Sequence, residues 1–177
     1  MQPFDRPALL IIGCKDTKFS GLTIRNYKGL HNSEFPIVGF SSRIFDSLEL
    51  DNFAVENSDL SNQVLFLGGN IYQNFTLTKV VFSNVTVSSS AIIMRIIGFQ
   101  DFKLEEVSFS QVRSLDPTDT SSVILSIDFV YFSTPTPIRF SNITYDNSSV
   151  SVLKFNTFVP VPDFTKTILF ENTNFTN

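Results

Sequence analysis

Short apolar segments recur along this sequence at a nearly constant spacing, and no other feature restricts the possible folds as strongly. Six such segments occur in the 177 residues, and their first residues are 28, 27, 28, 32 and 27 positions apart: Ala8, Pro36, Gln63, Ala91, Val123 and Val150. A repeat period of this size is typical of solenoids and related arrays. One unit cannot bury its own apolar face, so we expect successive units to stack on each other.

A second element follows each apolar segment, and all six end in the same way. Each ends with an apolar residue, one spacer and an amide, and the amides are Asn26, Asn52, Asn84, Gln111, Asn142 and Asn172. An amide side chain carries both a donor and an acceptor, so identical amides in stacked coils can bond to one another. We therefore predict that these six residues form one structural Asn ladder that faces the interior of the rod.

The residues that end the apolar segments predict a sharp corner in each unit. They are Gly13, Gly39, Gly68, Gly98, Asp128 and Asn156. Glycine, asparagine and aspartate share a tolerance of positive φ.

The composition favours strands throughout. The chain has 20 Phe and only three Ala, and no window shows the apolar spacing of a helix. We predict an all-β fold, namely a right-handed parallel β-helix (β-solenoid) of about six coils, as a single domain over residues 1–177. No polar cap is visible at either end, so we expect a segment of a longer protein whose ends are covered by other protein segments or subunits.

One stretch resembles a known repeat. The sequence "LFLGGNIYQNFTLTKVVFSNVTV", residues 65–87, resembles one unit of the polymorphic outer membrane protein repeat, in which a Gly-Gly-x-Ile element precedes Phe-x-Asn. The wider rhythm is similar to the right-handed parallel β-helix of the pectin lyase-like group. The resemblance implies an extracellular or cell-surface location.

The sequence offers little chemistry for catalysis. Acidic residues do not gather beside the six amides, and the paired-Asp and Gly-His-Gly signatures of β-helix enzymes are missing. His31, the single histidine, lies between units, and the single cysteine, Cys14, follows an apolar run typical of a buried position. We predict no catalytic, cofactor-binding or metal site. In "LDPTDT", Asp116 and Asp119 predict a proline-containing turn more simply than a cation site.

Two functional interpretations and one alternative fold remain open at this level. The first is a non-catalytic structural scaffold, adhesin or recognition module, with glycans as possible ligands; the second is a polysaccharide lyase or hydrolase. A leucine-rich repeat is a third interpretation, although the amide stands one residue too early for it.

The net charge of -4 and the scattered Lys and Arg argue against binding to nucleic acid. No apolar run is long enough for membrane insertion within this segment.

Five glycosylation sequons are present, at Asn74, Asn84, Asn142, Asn147 and Asn174. Asn84 and Asn142 belong to the predicted ladder, so their nitrogens would be engaged inside the rod. Asn147 lies in a polar link between units, and alternation directs Asn174 outward. We therefore predict glycosylation at Asn147 first, then at Asn74 or Asn174, and none at Asn84 or Asn142.

Overall fold

The computed structural model describes residues 9–12, 15–29, 37–41, 45–60, 65–68, 72–97, 99–129, 137–157 and 168–176. Every regular element in these ranges is a β-strand, and the strands are β1 (Leu9–Ile12), β2 (Asp16–Ser20), β3 (Thr23–Arg25), β4 (Val38–Ser41), β5 (Phe45–Asp51), β6 (Ala54–Leu60), β7 (Leu65–Gly68), β8 (Tyr72–Val87), β9 (Ile92–Ile97), β10 (Phe99–Ser114), β11 (Val123–Phe129), β12 (Ile138–Asp146), β13 (Ser151–Thr157), β14 (Ile168–Glu171) and β15 (Asn174–Thr176). The predicted all-β class is confirmed.

The strands stack in parallel as a β-solenoid. One sheet has six strands in the order β1-β4-β7-β9-β11-β13, and the other has nine, with β14-β12-β10-β8-β5-β2 as its main path. We define six rows, each containing the strands of one repeat: β1 to β3, β4 to β6, β7 and β8, β9 and β10, β11 and β12, and β13 to β15. The stacked strands make about 4 turns, slightly fewer than the predicted six.

The apolar segments of the repeat form the six-stranded sheet. Each of its strands begins within two residues of a predicted segment start. All of its neighbours pair in parallel; Leu9 pairs with Val38, and Leu125 pairs with Met94 and Leu153. The leucine-rich repeat interpretation is wrong, because the second half of each unit adds to another parallel sheet.

Two columns of residues with positive φ bend the nine-stranded sheet. The first bend column contains one residue of each row, and these are Gly21, Asn52, Lys79, Glu106, Asn142 and Asn172. The second bend column stands five residues later in rows 1 to 5 and contains Asn26, Asn57, Asn84, Gln111 and Asn147. The φ angles in both columns lie between 42° and 76°. The strand register aligns the members of a column. In the second column, Ser83 directly precedes Asn84 and pairs with Glu56 and Ser110, which directly precede Asn57 and Gln111.

Each bend shifts the alternation of side chains by one residue, as β10 shows. Leu104 is buried, Glu105 and Glu106 both lie on the outer side, and Val107 is buried again. A regular strand would have turned Glu106 inward, because its side chains alternate between the two faces. The left-handed residue thus lets the chain turn a corner while apolar residues continue to face the interior.

Aromatic rings stacked from row to row fill the interior. The rings of Phe53, Phe82 and Phe109 follow one another with centroid distances of 6.1 and 5.7 Å. The Phe75 and Phe102 rings lie parallel at 5.6 Å. All five side chains are at least 98% buried. These rings explain the high phenylalanine content, since each adds a large buried apolar area.

The predicted corners at the ends of the apolar segments are wrong wherever the structure describes them. Gly39, Gly68, Asp128 and Asn156 all lie inside strands of the six-stranded sheet, and none has positive φ. Gly13 and Gly98 lie outside the described residues. Apart from Ser90, the described residues with positive φ are instead in the two bend columns, and most of these positions are filled by asparagine because its short side chain tolerates this conformation.

Candidate functional site

The predicted Asn ladder lies in a different place from the one expected. All six predicted ladder residues, Asn26, Asn52, Asn84, Gln111, Asn142 and Asn172, are exposed and lie outside the rod at bend positions. They also divide equally between the two bend columns. The interior position is wrong because a left-handed residue adds one outward position to the strand.

Two amide pairs nevertheless bond between rows on this outer surface. The Nδ2 atom of Asn84 donates to Oδ1 of Asn57 at 2.9 Å, and Nδ2 of Asn172 donates to Oδ1 of Asn142 at 3.2 Å. The second pair joins two predicted ladder members. The partner of Asn84 is a residue that the sequence did not single out.

The predicted glycosylation residues are all exposed. Asn74 lies in β8, and Asn174 lies in β15 opposite Thr144. Asn147 belongs to the second bend column, and its backbone N–H donates to the carbonyl of Thr176 at 3.1 Å. The sequence therefore predicted the exposure of these three asparagines correctly.

A shallow polar groove crosses the outer face of the nine-stranded sheet before the first bend column. It consists of two depressions of about 280 and 420 Å³ that share Asn74 and Thr76. The first also contains Asp101, Lys103 and Arg139, and the second contains Asp16, Lys18, Ser47 and Glu49. The groove thus follows the rod axis across rows 1 to 5.

Charges in and beside this groove are paired along the rod axis. Lys18 Nζ lies 2.7 Å from Glu49 Oε1, and Arg25 Nη2 lies 2.7 Å from Glu56 Oε2, in both cases one row apart. The hydrogen bond to Glu49, aided by charge attraction, raises the pKa of Lys18. Ser47 Oγ donates to Asp16 Oδ1 at 2.7 Å. Lys103 forms an ion pair with Glu105 on its own strand. All of these contacts except the Lys103 pair link neighbouring rows, and such exposed ion pairs contribute little to stability.

The loop between β10 and β11 is organised around Asp119. Its Oδ1 accepts from the backbone N–H and the hydroxyl of Ser121 at 2.8 and 2.7 Å, and its Oδ2 accepts from Ser90 N at 3.1 Å and Ser114 Oγ at 3.0 Å. A short hydrogen bond from Ser122 adds to these. Led by the Ser122 and Ser121 hydroxyls, these donors hold the pKa of Asp119 far below its usual range. The carboxylate therefore fixes the turn between two rows.

Asp116 has a similar role in the same loop. The backbone N–H and hydroxyl of Thr118 donate to its Oδ1 at 2.9 and 2.7 Å, which lowers the pKa of Asp116. The turn predicted from "LDPTDT" is thus confirmed. Among the described residues no group of three or more His, Cys, Asp or Glu could hold a metal ion. His31 and Cys14 lie outside the described residues.

We expect the loop to depend on pH through Asp119. A carboxyl group with a lowered folded-state pKa stabilises the fold above its unfolded pKa of about 3.9, and the effect is lost as pH falls further. Asp119→Asn should therefore lower the urea midpoint at pH 7, and the difference from the unmodified chain should shrink as pH falls through 4. The control is Asp51→Asn, whose carboxylate accepts one 3.3 Å bond from Ser20. A constant difference between pH 7 and pH 3 would contradict this role.

Comparison with known proteins gives no further assignment: no family model, curated protein or solved structure matches the chain. No helix in the described part of the chain could cross a membrane.

Three residues that shape the outer surface were not predicted from the sequence. Asn57, Lys79 and Glu106 all occupy bend positions with positive φ. Asn57 has a detectable signal, since it stands five residues after Asn52, the separation between the two columns. Lys79 and Glu106 stand at the same separation from Asn84 and Gln111, but their residue types give no signal, because lysine and glutamate rarely adopt this conformation.

Proposed function

We propose that this chain is a non-catalytic β-solenoid of an extracellular or cell-surface protein, where it serves as a scaffold, adhesin or recognition module. The observation that carries the proposal is the pairing of outer-face charges along the rod axis. Lys18 with Glu49 and Arg25 with Glu56 connect row 1 to row 2. Such pairs favour a regular outer surface, whereas a hydrolytic site needs carboxylates that converge on a substrate bond.

The extracellular location is supported by the exposed sequons and by the resemblance of residues 65–87 to the polymorphic outer membrane protein repeat. The same resemblance favours the right-handed winding of the pectin lyase-like group. The rows linked by charge pairs suit the role of a rigid rod. We assign recognition to the polar groove across rows 1 to 5, and glycans are the ligands we propose for it.

Glycan occupancy tests the location. We expect glycans on Asn147 first, then on Asn74 or Asn174, when the protein is isolated from a host that glycosylates secreted proteins. Asn84 should stay bare because its Nδ2, the atom that would carry the sugar, donates to Asn57. Asn142 should also stay bare because a sugar on its Nδ2 would crowd the amide pair in which its Oδ1 accepts from Asn172. Mass spectrometry of glycopeptides measures all five sites at once.

The outcome can contradict the proposal in two ways. A glycan on Asn84 together with bare Asn147 would overturn the assignment of the amide pair. Bare asparagines at Asn74, Asn147 and Asn174 in a glycosylating host would remove the support for an extracellular location.

A turnover assay tests the non-catalytic part of the proposal. We expect no new reducing ends and no unsaturated products when the protein is incubated with pectic or other acidic polysaccharides. Lys103→Ala serves as the matched variant, since Lys103 lines the groove and its side chain is exposed. Turnover that the variant abolishes would establish the alternative, a polysaccharide lyase or hydrolase.

A further inference from the structure

Large apolar side chains are exposed almost only at the two ends of the rod. Among the described residues, six are strongly exposed, and five of them belong to row 1 or row 6: Leu9, Leu10, Ile168, Phe170 and Phe175. The exception is Leu115, in the loop after β10. Exposed apolar side chains beside strand edges are typical of surfaces on which another strand or protein packs.

These side chains belong to columns that are buried elsewhere in the rod. The Phe170 ring stacks on Phe140 at 4.8 Å, but Phe170 is 54% exposed and Phe140 only 2%. Leu9 is 39% exposed, whereas Val38, its partner in row 2, is 3% exposed. Among the described residues, these side chains therefore occupy interior columns with a neighbouring row on one side only.

The two ends match each other in backbone shape. Row 1 carries its first bend at Gly21 with φ 76°, and row 6 carries it at Asn172 with φ 51°. Phe19 and Phe170 stand two residues before these bends, and Ile24 and Phe175 stand three residues after them. If the register of the inner rows continued across a junction, Phe170 would meet Phe19, and Phe175 would meet Ile24.

We propose that copies of this chain associate head to tail, with row 6 of one copy stacked on row 1 of the next. Such a junction keeps the parallel pairing found between all described rows. Contact between two row 6 edges would instead bring the strands together in antiparallel orientation and break the columns. The strands at the row 6 edge carry the charges of Lys154 and Glu171, and those at the row 1 edge carry Asp16, Lys18 and Arg25. Lys18 and Arg25 are already paired with carboxylates of row 2, so neither edge presents a block of like charge. The inference does not depend on the proposed function.

A head-to-tail contact between unlike surfaces does not close on itself, so it predicts an open series of oligomers. We expect the weight-average mass in analytical ultracentrifugation to rise with concentration beyond that of a dimer. Phe170→Lys blocks row 6 and Leu9→Lys blocks row 1, and each should raise the concentration for half-association roughly tenfold or more. Leu115→Lys, at an equally exposed position away from the ends, should leave it unchanged.

Mixing the two blocked variants gives the sharpest result. Each alone should be monomeric, but the mixture should form a closed 1:1 dimer, because one free row 6 edge and one free row 1 edge remain. Thermal unfolding confirms that each variant is folded. Dimers of a single blocked variant, or a chain that stays monomeric to about 100 μM, would overturn the proposal.

A cysteine pair checks the register independently of the blocked variants. In a Cys14→Ser background, Glu171→Cys and Ser20→Cys should form an intermolecular disulfide on air oxidation, since both positions directly precede the first bend. Replacing Ser20→Cys by Thr23→Cys moves the thiol to the other side of the bend, and cross-linking should fall strongly. Equal cross-linking of both pairs, or self-linking of Glu171→Cys alone, would contradict the register.

Discussion

Phe82→Ala is expected to lower the free energy of unfolding by about 3–5 kcal/mol, the range for removing a fully buried aromatic side chain. The Phe82 side chain is completely buried, and its ring lies between those of Phe53 and Phe109 at 6.1 and 5.7 Å. Rows above and below hold these neighbours in place, so the cavity cannot collapse fully. Urea denaturation followed by circular dichroism measures the change.

The control comes from the same interior column at the end of the rod. Phe175 packs on Tyr145 at 5.9 Å but is 58% exposed. Phe175→Ala should cost less than half as much as Phe82→Ala when both are measured at a concentration where the chain is monomeric. Equal costs for the two substitutions would mean that the interior is not organised as stacked columns.

Asn84→Val is expected to lower the free energy of unfolding by about 2–3 kcal/mol. The residue has φ 51°, a conformation that costs a side chain with a Cβ about 1–2 kcal/mol and suits a β-branched residue least. The substitution also removes the 2.9 Å bond to Asn57, which contributes about 1 kcal/mol. Denaturation in urea again measures the loss.

Two further variants separate these causes. Asn84→Gly keeps the backbone conformation at low cost and should lose little more than the amide bond. Thr86→Val, two residues later on an ordinary strand position of β8, should change stability by less than about 0.5 kcal/mol. If Asn84→Gly were as harmful as Asn84→Val, the left-handed bend would not be the main reason for asparagine here.

The repeat predicted the solenoid because its apolar segments coincide with strands of the six-stranded sheet. An interior built from stacked rows needs one apolar strand per row at nearly equal spacing, and this constraint is visible in the sequence. The exposure of Asn74, Asn147 and Asn174 was also predictable, since it follows from polar context and alternation.

The arrangement of the amides could not be predicted in the same way. Both bend columns follow an inward residue and one outward spacer, so the same short pattern marks Asn52 in one column and Asn84 in the other. The first column cannot be recognised in the sequence of rows 3 and 4, where its members are Lys79 and Glu106. The rows on both sides hold the backbone of these two residues in a conformation that lysine and glutamate disfavour. The six amides therefore looked like one ladder, although they belong to two different bend columns.

The two-column register is the central claim, and a disulfide between rows tests it most directly. In a Cys14→Ser background, Glu56→Cys with Ser83→Cys places two thiols at paired positions of β6 and β8. Neighbouring strands lie about 4.8 Å apart, within the range that a disulfide can bridge. A single ladder with Asn52 beside Asn84 would instead pair Ser83 with Asp51. Mass spectrometry after mild oxidation should show the 56–83 disulfide and none in the Asp51→Cys with Ser83→Cys variant, and the opposite result would contradict the two bend columns.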